Sequence, residues 1–189
     1  MQSPQGKFPT DWSSDGRYIL YREIDAKNGF DQWALPVYGD KKPIPLATTP
    51  FEERDGQFSP DVRWVVFSSS ESGRSEIYVQ PFPGPGGKVQ ISTNGGAQPR
   101  WRHDGKEIFY IAADNTLMSV PIKVSPAGDS VEPSAPVSLF RTRVFSNVVL
   151  GGKQQYAVSR DGQRFLMIVS AEDAAVSPIT VLLNWKPRP

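Results

Sequence analysis

Apolar residues along this chain fall in runs of four to eight positions, rich in aromatic and β-branched side chains and bounded by Gly, Pro, Asn or Asp. Short runs of that kind predict β-strands, and no 3.6-residue periodicity persists long enough for an amphipathic helix. Four segments, residues 12–21, 58–67, 101–110 and 158–167, repeat one pattern. A large apolar residue (Trp12, Phe58, Trp101, Val158) is followed by two variable residues, Asp, usually Gly, a long polar residue and an apolar run. The leading positions lie 46, 43 and 57 residues apart. Periods of roughly 40–50 belong to propeller blades or helical arrays, and the β character of the runs selects blades.

Each repeat continues past its second strand. Third strands are expected at 32–37, 76–82, 116–122 and 179–185, and fourth strands at 44–47, 89–92 and 137–140. Four strands per period make one blade. The expectation is an all-β β-propeller of four four-stranded antiparallel blades, about 8–48, 56–93, 98–141 and 154–185, in a single region covering 1–189. The last blade lacks its fourth strand. Residues 1–8, with Pro4 and Gly6, hold few β-formers and are a poor candidate to supply it. A partial propeller follows, the C-terminal arc of a longer one, with an open blade edge able to associate; a closed four-bladed ring is the competing arrangement. Residues 123–135 explain the long third step as a loop insertion, a connector without structure of its own.

The repeated Asp15-Gly16, Asp61, Asp104-Gly105 and Asp161-Gly162 are read as structural turns. Gly adopts a left-handed φ without a Cβ clash, and Asp bonds to its own turn backbone. Val62 breaks the rule, which predicts a strained turn or one of another type. Apolar runs without alternation, such as Trp64–Phe67 and Phe165–Val169, predict burial on both faces between neighbouring blades.

Composition narrows the chemistry. The chain has 189 residues, 21 Lys+Arg against 20 Asp+Glu, one His and no Cys. A thiol nucleophile and a thiolate metal site are excluded, and the balanced charge argues against a nucleic-acid partner. No metal or cofactor is expected. No run approaches the ~20 apolar residues of a membrane helix, and Met1–Phe8 carries no apolar signal-peptide core. Gly-x-Ser-x-Gly, His-Arg-Asp and Asp-Phe-Gly are absent. Pro83–Val89 has the look of a phosphate loop, but Phe82 and Val89 occupy its required Gly and Ser/Thr positions. His103 reads as a solvated turn residue. With no catalytic motif, the chain is expected not to be an enzyme.

Ser-x-Asp-Gly after an aromatic residue, an apolar strand, and Glu76-Ile77-Tyr78-Val79 resemble the TolB-type, WD-like propeller repeat over nearly the whole chain. More narrowly, Gly56–Asp61, Ser70–Gly84, Gln98–Trp101 and Pro178–Trp185 are similar to the C-terminal propeller of bacterial membrane-anchored serine/threonine protein kinases. That resemblance implies a binding or sensing region, periplasmic-facing in a longer membrane protein.

Candidate sites lie on loops around the propeller axis. Glu53, Arg54, Asp55, Arg74, Gln98 and Arg100 are the candidate ligand-binding residues at a channel mouth, meeting a protein, a peptide or a small polar ligand. The alternative is the propeller of an enzyme: a carboxylate glycoside hydrolase using residues such as Glu53 and Glu172, or the substrate gate of a serine peptidase. Trp12, Trp33, Trp64, Trp101 and Trp185 occupy strand positions and are assigned to packing between blades.

Overall fold

The computed structural model describes residues 5–27, 29–84, 86–144 and 154–169, and every regular element among them is a strand. The first sheet places β1 (Lys7–Trp12), β2 (Tyr18–Asp25), β3 (Gly29–Pro36) and β4 (Ile44–Ala47) side by side in chain order. The second repeats this with β5 (Glu53–Phe58), β6 (Trp64–Ser69), β7 (Glu76–Pro81) and β8 (Val89–Gln90). The third contains β9 (Ala97–Trp101), β10 (Glu107–Ile111), β11 (Thr116–Val124), β12 (Val131–Pro133) and β13 (Val137–Arg141). In the fourth repeat β14 (Tyr156–Val158) pairs with β15 (Phe165–Met167). All pairings are antiparallel. The expected third strand of that repeat, 179–185, lies outside the described residues.

Side-chain alternation in the second strands explains why the sheets stack face to face. All six residues of β6 are buried. Val65 and Phe67 join Leu20, Ala34 and Ala47 of the first sheet, whereas Trp64 and Val66 join Trp101, Ile108 and Tyr110 of the third. Strand β10 divides in the same way, with Phe109 and Ile111 turned to Tyr156 and Phe165 of the fourth repeat. Each inner blade is therefore apolar on both faces because it has two neighbours.

The leading aromatic residue of a repeat covers the preceding sheet. Phe58 lies 6.4 Å from Tyr18, ring to ring, and Trp101 packs with Trp64, Val66 and Ile77. Trp12 departs from its expected packing role, being 61% exposed. No sheet precedes it among the described residues, so its equivalent surface stays open.

The turns carry more bonding than Asp alone supplies. Ser13 Oγ donates to Asp15 and accepts the Tyr18 N–H at 2.9 Å. Ser59 and Ser159 repeat the arrangement with Asp61 and Trp64 and with Asp161 and Arg164. In the third repeat Arg102 replaces the serine and binds both Asp104 oxygens. Gly16, Gly105 and Gly162 have φ of 72–74°. Val62 holds φ 59° in the same left-handed well, so its turn is the strained version of its neighbours' and not another type.

Residues 123–135 are not an unstructured connector. Strand β11 runs on to Val124, turns through Ser125–Ser130 and returns as β12. Arg63 of the second repeat donates to the carbonyls of Ala127 and Gly128, at 3.1 and 2.7 Å, while Ile122 and Val131 enter the core between the second and third sheets. Pairing satisfies backbone groups that a loose connector would leave to water. Lys7 and Phe8 pair with Glu23 and Arg22, so the end of the 1–8 segment belongs to the first blade.

Candidate functional site

Strands β1, β5, β9 and β14 are the first of their repeats and lie at the edges of their sheets, with β1 beside β5 and β5 beside β9. Two rows of side-chain to backbone hydrogen bonds connect those edges. In the first row, Asp11 Oδ2 accepts the Phe58 N–H at 2.8 Å and Gln57 Oε1 accepts the Trp101 N–H at 2.8 Å. Asp11, Gln57 and Arg100 hold the same place, one residue before the leading apolar position. In the second row, two residues earlier, Asp55 Oδ2 accepts the Gln98 N–H at 3.1 Å and Gln98 Oε1 accepts the Gln155 N–H at 2.8 Å. Asp55 and Gln98 reach these positions through bulges with φ of 56° and 55°. Tyr156 Oη closes the set on the Gln98 carbonyl at 2.9 Å.

This geometry locates the six candidate residues. Asp55 and Gln98 are buried and staple one repeat to the next. Glu53 is fully buried, accepting from Thr49 Oγ1 at 2.5 Å and Ser69 Oγ at 3.4 Å, so it reaches no open surface. Burial pushes its carboxyl up to about 7. Arg54 pairs with Glu52 and lies 4.2 Å from the Phe30 ring centroid, a ring that also carries Arg22 at 4.5 Å. Arg74 is engaged elsewhere, on Glu76 at 2.9 Å and the Thr93 carbonyl at 3.0 Å. Arg100 is partly buried in electrostatic contact with Asp11, Asp55 and Tyr156, residues of the other three repeats. Glu172 and Asp173 lie outside the described residues.

Burial holds the Asp11 and Asp55 carboxyls above the ordinary carboxylate range, against the pull of their backbone N–H bonds and of Arg100. The same desolvation pulls the Arg100 guanidinium down. Among the described residues no group of three or more His, Asp or Glu side chains is disposed to hold a metal ion.

A cleft of about 480 Å³ opens on the face of the Asp-Gly turns, where the ends of all four first strands meet. Asp11, Trp12, Gln57, His103, Ser159 and Arg160 are among its walls. His103 and Arg160 are exposed there, beside the open indole of Trp12. On sequence alone the candidate binding residues lie on loops around the axis, with His103 a solvated turn residue and Trp12 packing between blades. Asp11 and Gln57 were discoverable by carrying the repeat alignment one residue upstream of the leading aromatic.

No family model matches the chain, and no curated protein does. Among solved structures, TolB from Acinetobacter baumannii superposes with a TM-score of 0.63 at 15% identity, over 92% of this chain and 40% of that one. The fold is a β-propeller, the fold it shares with that TolB structure. The chain thus spans less than half of that TolB structure. Two further propeller matches are enzymes by description. A provisional 6-phosphogluconolactonase of Bacteroides uniformis matches at TM-score 0.51 and 16% identity, over 88% of this chain and 49% of that one. A structure from a study of two prolyl endopeptidases matches at 0.52 and 16%, over 86% and 26%. These matches overturn the expectation that the chain is not an enzyme: its fold is shared with catalytic proteins, so missing sequence motifs do not exclude activity. Among the described residues no helix is long and apolar enough to cross a membrane.

Proposed function

We propose that the chain is a binding propeller that takes a peptide or small polar ligand in the turn-face cleft. The observation that carries this reading is the convergence of all four repeats on one cavity whose rim holds an exposed indole, an imidazole and a guanidinium. Trp and Arg dominate the energetics of recognition surfaces, and an open indole on a rigid scaffold offers a ligand apolar area to cover. The stapled first strands hold those side chains in place before any ligand arrives, which lowers the ordering cost of binding.

A sensor region of a bacterial membrane-anchored serine/threonine kinase, periplasmic-facing, is the finer form of the proposal. Its support is the likeness of Gly56–Asp61 and Ser70–Gly84 to such kinases. Coding sequence upstream for kinase loops and a membrane span is its test.

The cleft itself is tested by titrating a panel of short peptides and sugars while following the Trp12 indole and His103 ring signals by NMR. Binders should shift both signals together and lose affinity on Trp12→Ala and Arg160→Ala. Binding that leaves both signals unmoved contradicts the proposal.

A further inference from the structure

The turns of the first two repeats are tied together, Ser14 Oγ donating to the Pro60 carbonyl at 2.7 Å. Pro60 holds the place of Ser14 in the second repeat and has no side-chain donor, so the turns of the second and third repeats lack that bridge. A cavity of about 560 Å³ opens between them. Pro60 and Asp61 stand on one side and Asp104 and Gly105 on the other; a Cβ on Gly105 would lie 3.7 Å from Pro60 Cδ. The end of β11, Ile122 to Val124, forms a further wall, and the hairpin that Arg63 anchors continues from it. Ser59, Pro60 and Trp101 are also walls of the turn-face cleft, whereas Trp64 lines this cavity and not the cleft.

Three buried indole N–H groups among the described residues have no hydrogen-bond partner, and two of them, on Trp64 and Trp101, belong to walls of this cavity. The residues are 3% and 6% exposed. A buried indole ordinarily finds an acceptor, so this pair of donors calls for one. Lys106 and Lys123 are exposed on the same lining. The carboxylates nearby are engaged, Asp104 by Arg102 at 2.6 and 2.8 Å and Asp61 by Ser59 Oγ at 2.5 Å, while among the described residues no ion pair engages either lysine.

We infer that this cavity between the second and third repeats binds a small amphipathic carboxylate. Its ring or branched chain lies against the indoles, Ile122 and Val124, and its oxygens accept from the indole N–H groups and the lysines. The flexible stems of Lys106 and Lys123 let their ammonium groups follow the carboxylate inward. The site goes beyond the cleft reading, and either can fail alone.

The test titrates the whole chain with phenylpropionate, with its methyl ester and with acetate, following the indole and imidazole NMR signals. Phenylpropionate should shift the Trp64 indole N–H saturably, the ester should bind about five- to tenfold more weakly, and acetate, with no apolar body, should leave the signal unmoved. Replacing both lysines, Lys106→Gln with Lys123→Gln, should bring the acid down to the affinity of the ester and leave the ester unchanged. Trp101→Phe keeps a ring and removes one donor, and should weaken acid and ester alike by about three- to tenfold. The lysine substitutions fall at exposed positions and spare the core, so they decide the matter even if Trp101→Phe fails to fold. A Trp64 signal that phenylpropionate does not move overturns the inference, as does an acid that binds no better than its ester or keeps its full affinity without the lysines. Shifts confined to Trp12 and His103 would put the acid in the cleft, overturning this site while sustaining the cleft.

Discussion

Gln57 reaches across from the second repeat so that its side-chain oxygen accepts the Trp101 N–H of the third at 2.8 Å. Asp11 does the same for Phe58 one repeat earlier. The first strand of each blade is an edge strand, and its outward N–H groups would otherwise have only water. A buried donor left without an acceptor costs about 1–3 kcal/mol. Gln57→Leu should therefore lower stability by about that amount in urea unfolding, while Gln57→Glu, which keeps an acceptor, should cost less. Equal losses from both would show that the bond is not what position 57 contributes.

Trp12 and Trp101 hold the same place in their repeats with opposite environments, one 61% exposed and the other 6%. Trp101→Ala should destabilise by about 3–5 kcal/mol, in keeping with loss of a large buried aromatic. Trp12→Ala should cost under about 1 kcal/mol. Similar losses at the two sites would mean that Trp12 is covered in solution.

Two sets of carboxyls act in opposite directions on the pH dependence of stability. Hydrogen bonds from Ser13 and Arg102, respectively, hold Asp15 and Asp104 down at about 2. Their contribution is present above the unfolded value near 4 and lost as pH falls toward 2, reduced by solvent screening at these exposed sites. Glu53, pushed up to about 7, works the other way: its neutral form suits the folded state, and stability is lost as pH rises from about 4.5 through 7. Thermal unfolding between pH 3 and 8 should show a maximum near pH 4–5. Glu53→Gln should flatten the limb above pH 5; a limb unchanged by that substitution would dissociate Glu53 from it.

Left-handed strain distinguishes the second turn from the others. A Cβ added at Gly16 meets nothing within 4 Å, so Gly16→Val isolates the conformational cost, expected at about 1–2 kcal/mol. Val62→Gly relieves the same strain but removes a buried side chain, 8% exposed, from the core with Leu20 and Phe58. The two effects oppose, and its net change should fall within about 1 kcal/mol of zero. A large gain would mean that Val62 contributes little packing.

The blade plan was legible because Asp-Gly turns and double-faced apolar strands are local signals: Trp64–Phe67 announces burial on both sides without knowledge of its neighbours. The site was less legible. Glu53, Asp55 and Gln98 look like loop polar residues, yet bulges with positive φ turn Asp55 and Gln98 inward to bond the next repeat, and Glu53 closes on Thr49 and Ser69. Nothing in a single-residue pattern signals an acceptor for a strand 43 residues away. The hairpin at 125–130 was hidden for a related reason, since its anchor is Arg63, from another blade. Trp12 was misjudged because the repeat rule supplies a packing role and says nothing about whether a preceding sheet is present.

Amide hydrogen exchange at Phe58, Gln98, Trp101 and Gln155 tests most directly whether the repeats stand side by side about one axis with their edges stapled. These N–H groups point away from their own sheets and gain protection only from a neighbouring repeat. All four should exchange slowly, Asp11→Ala should release Phe58 alone, and Gln57→Ala should release Trp101 alone. Exchange of all four at the rate of an unstructured peptide would contradict the arrangement.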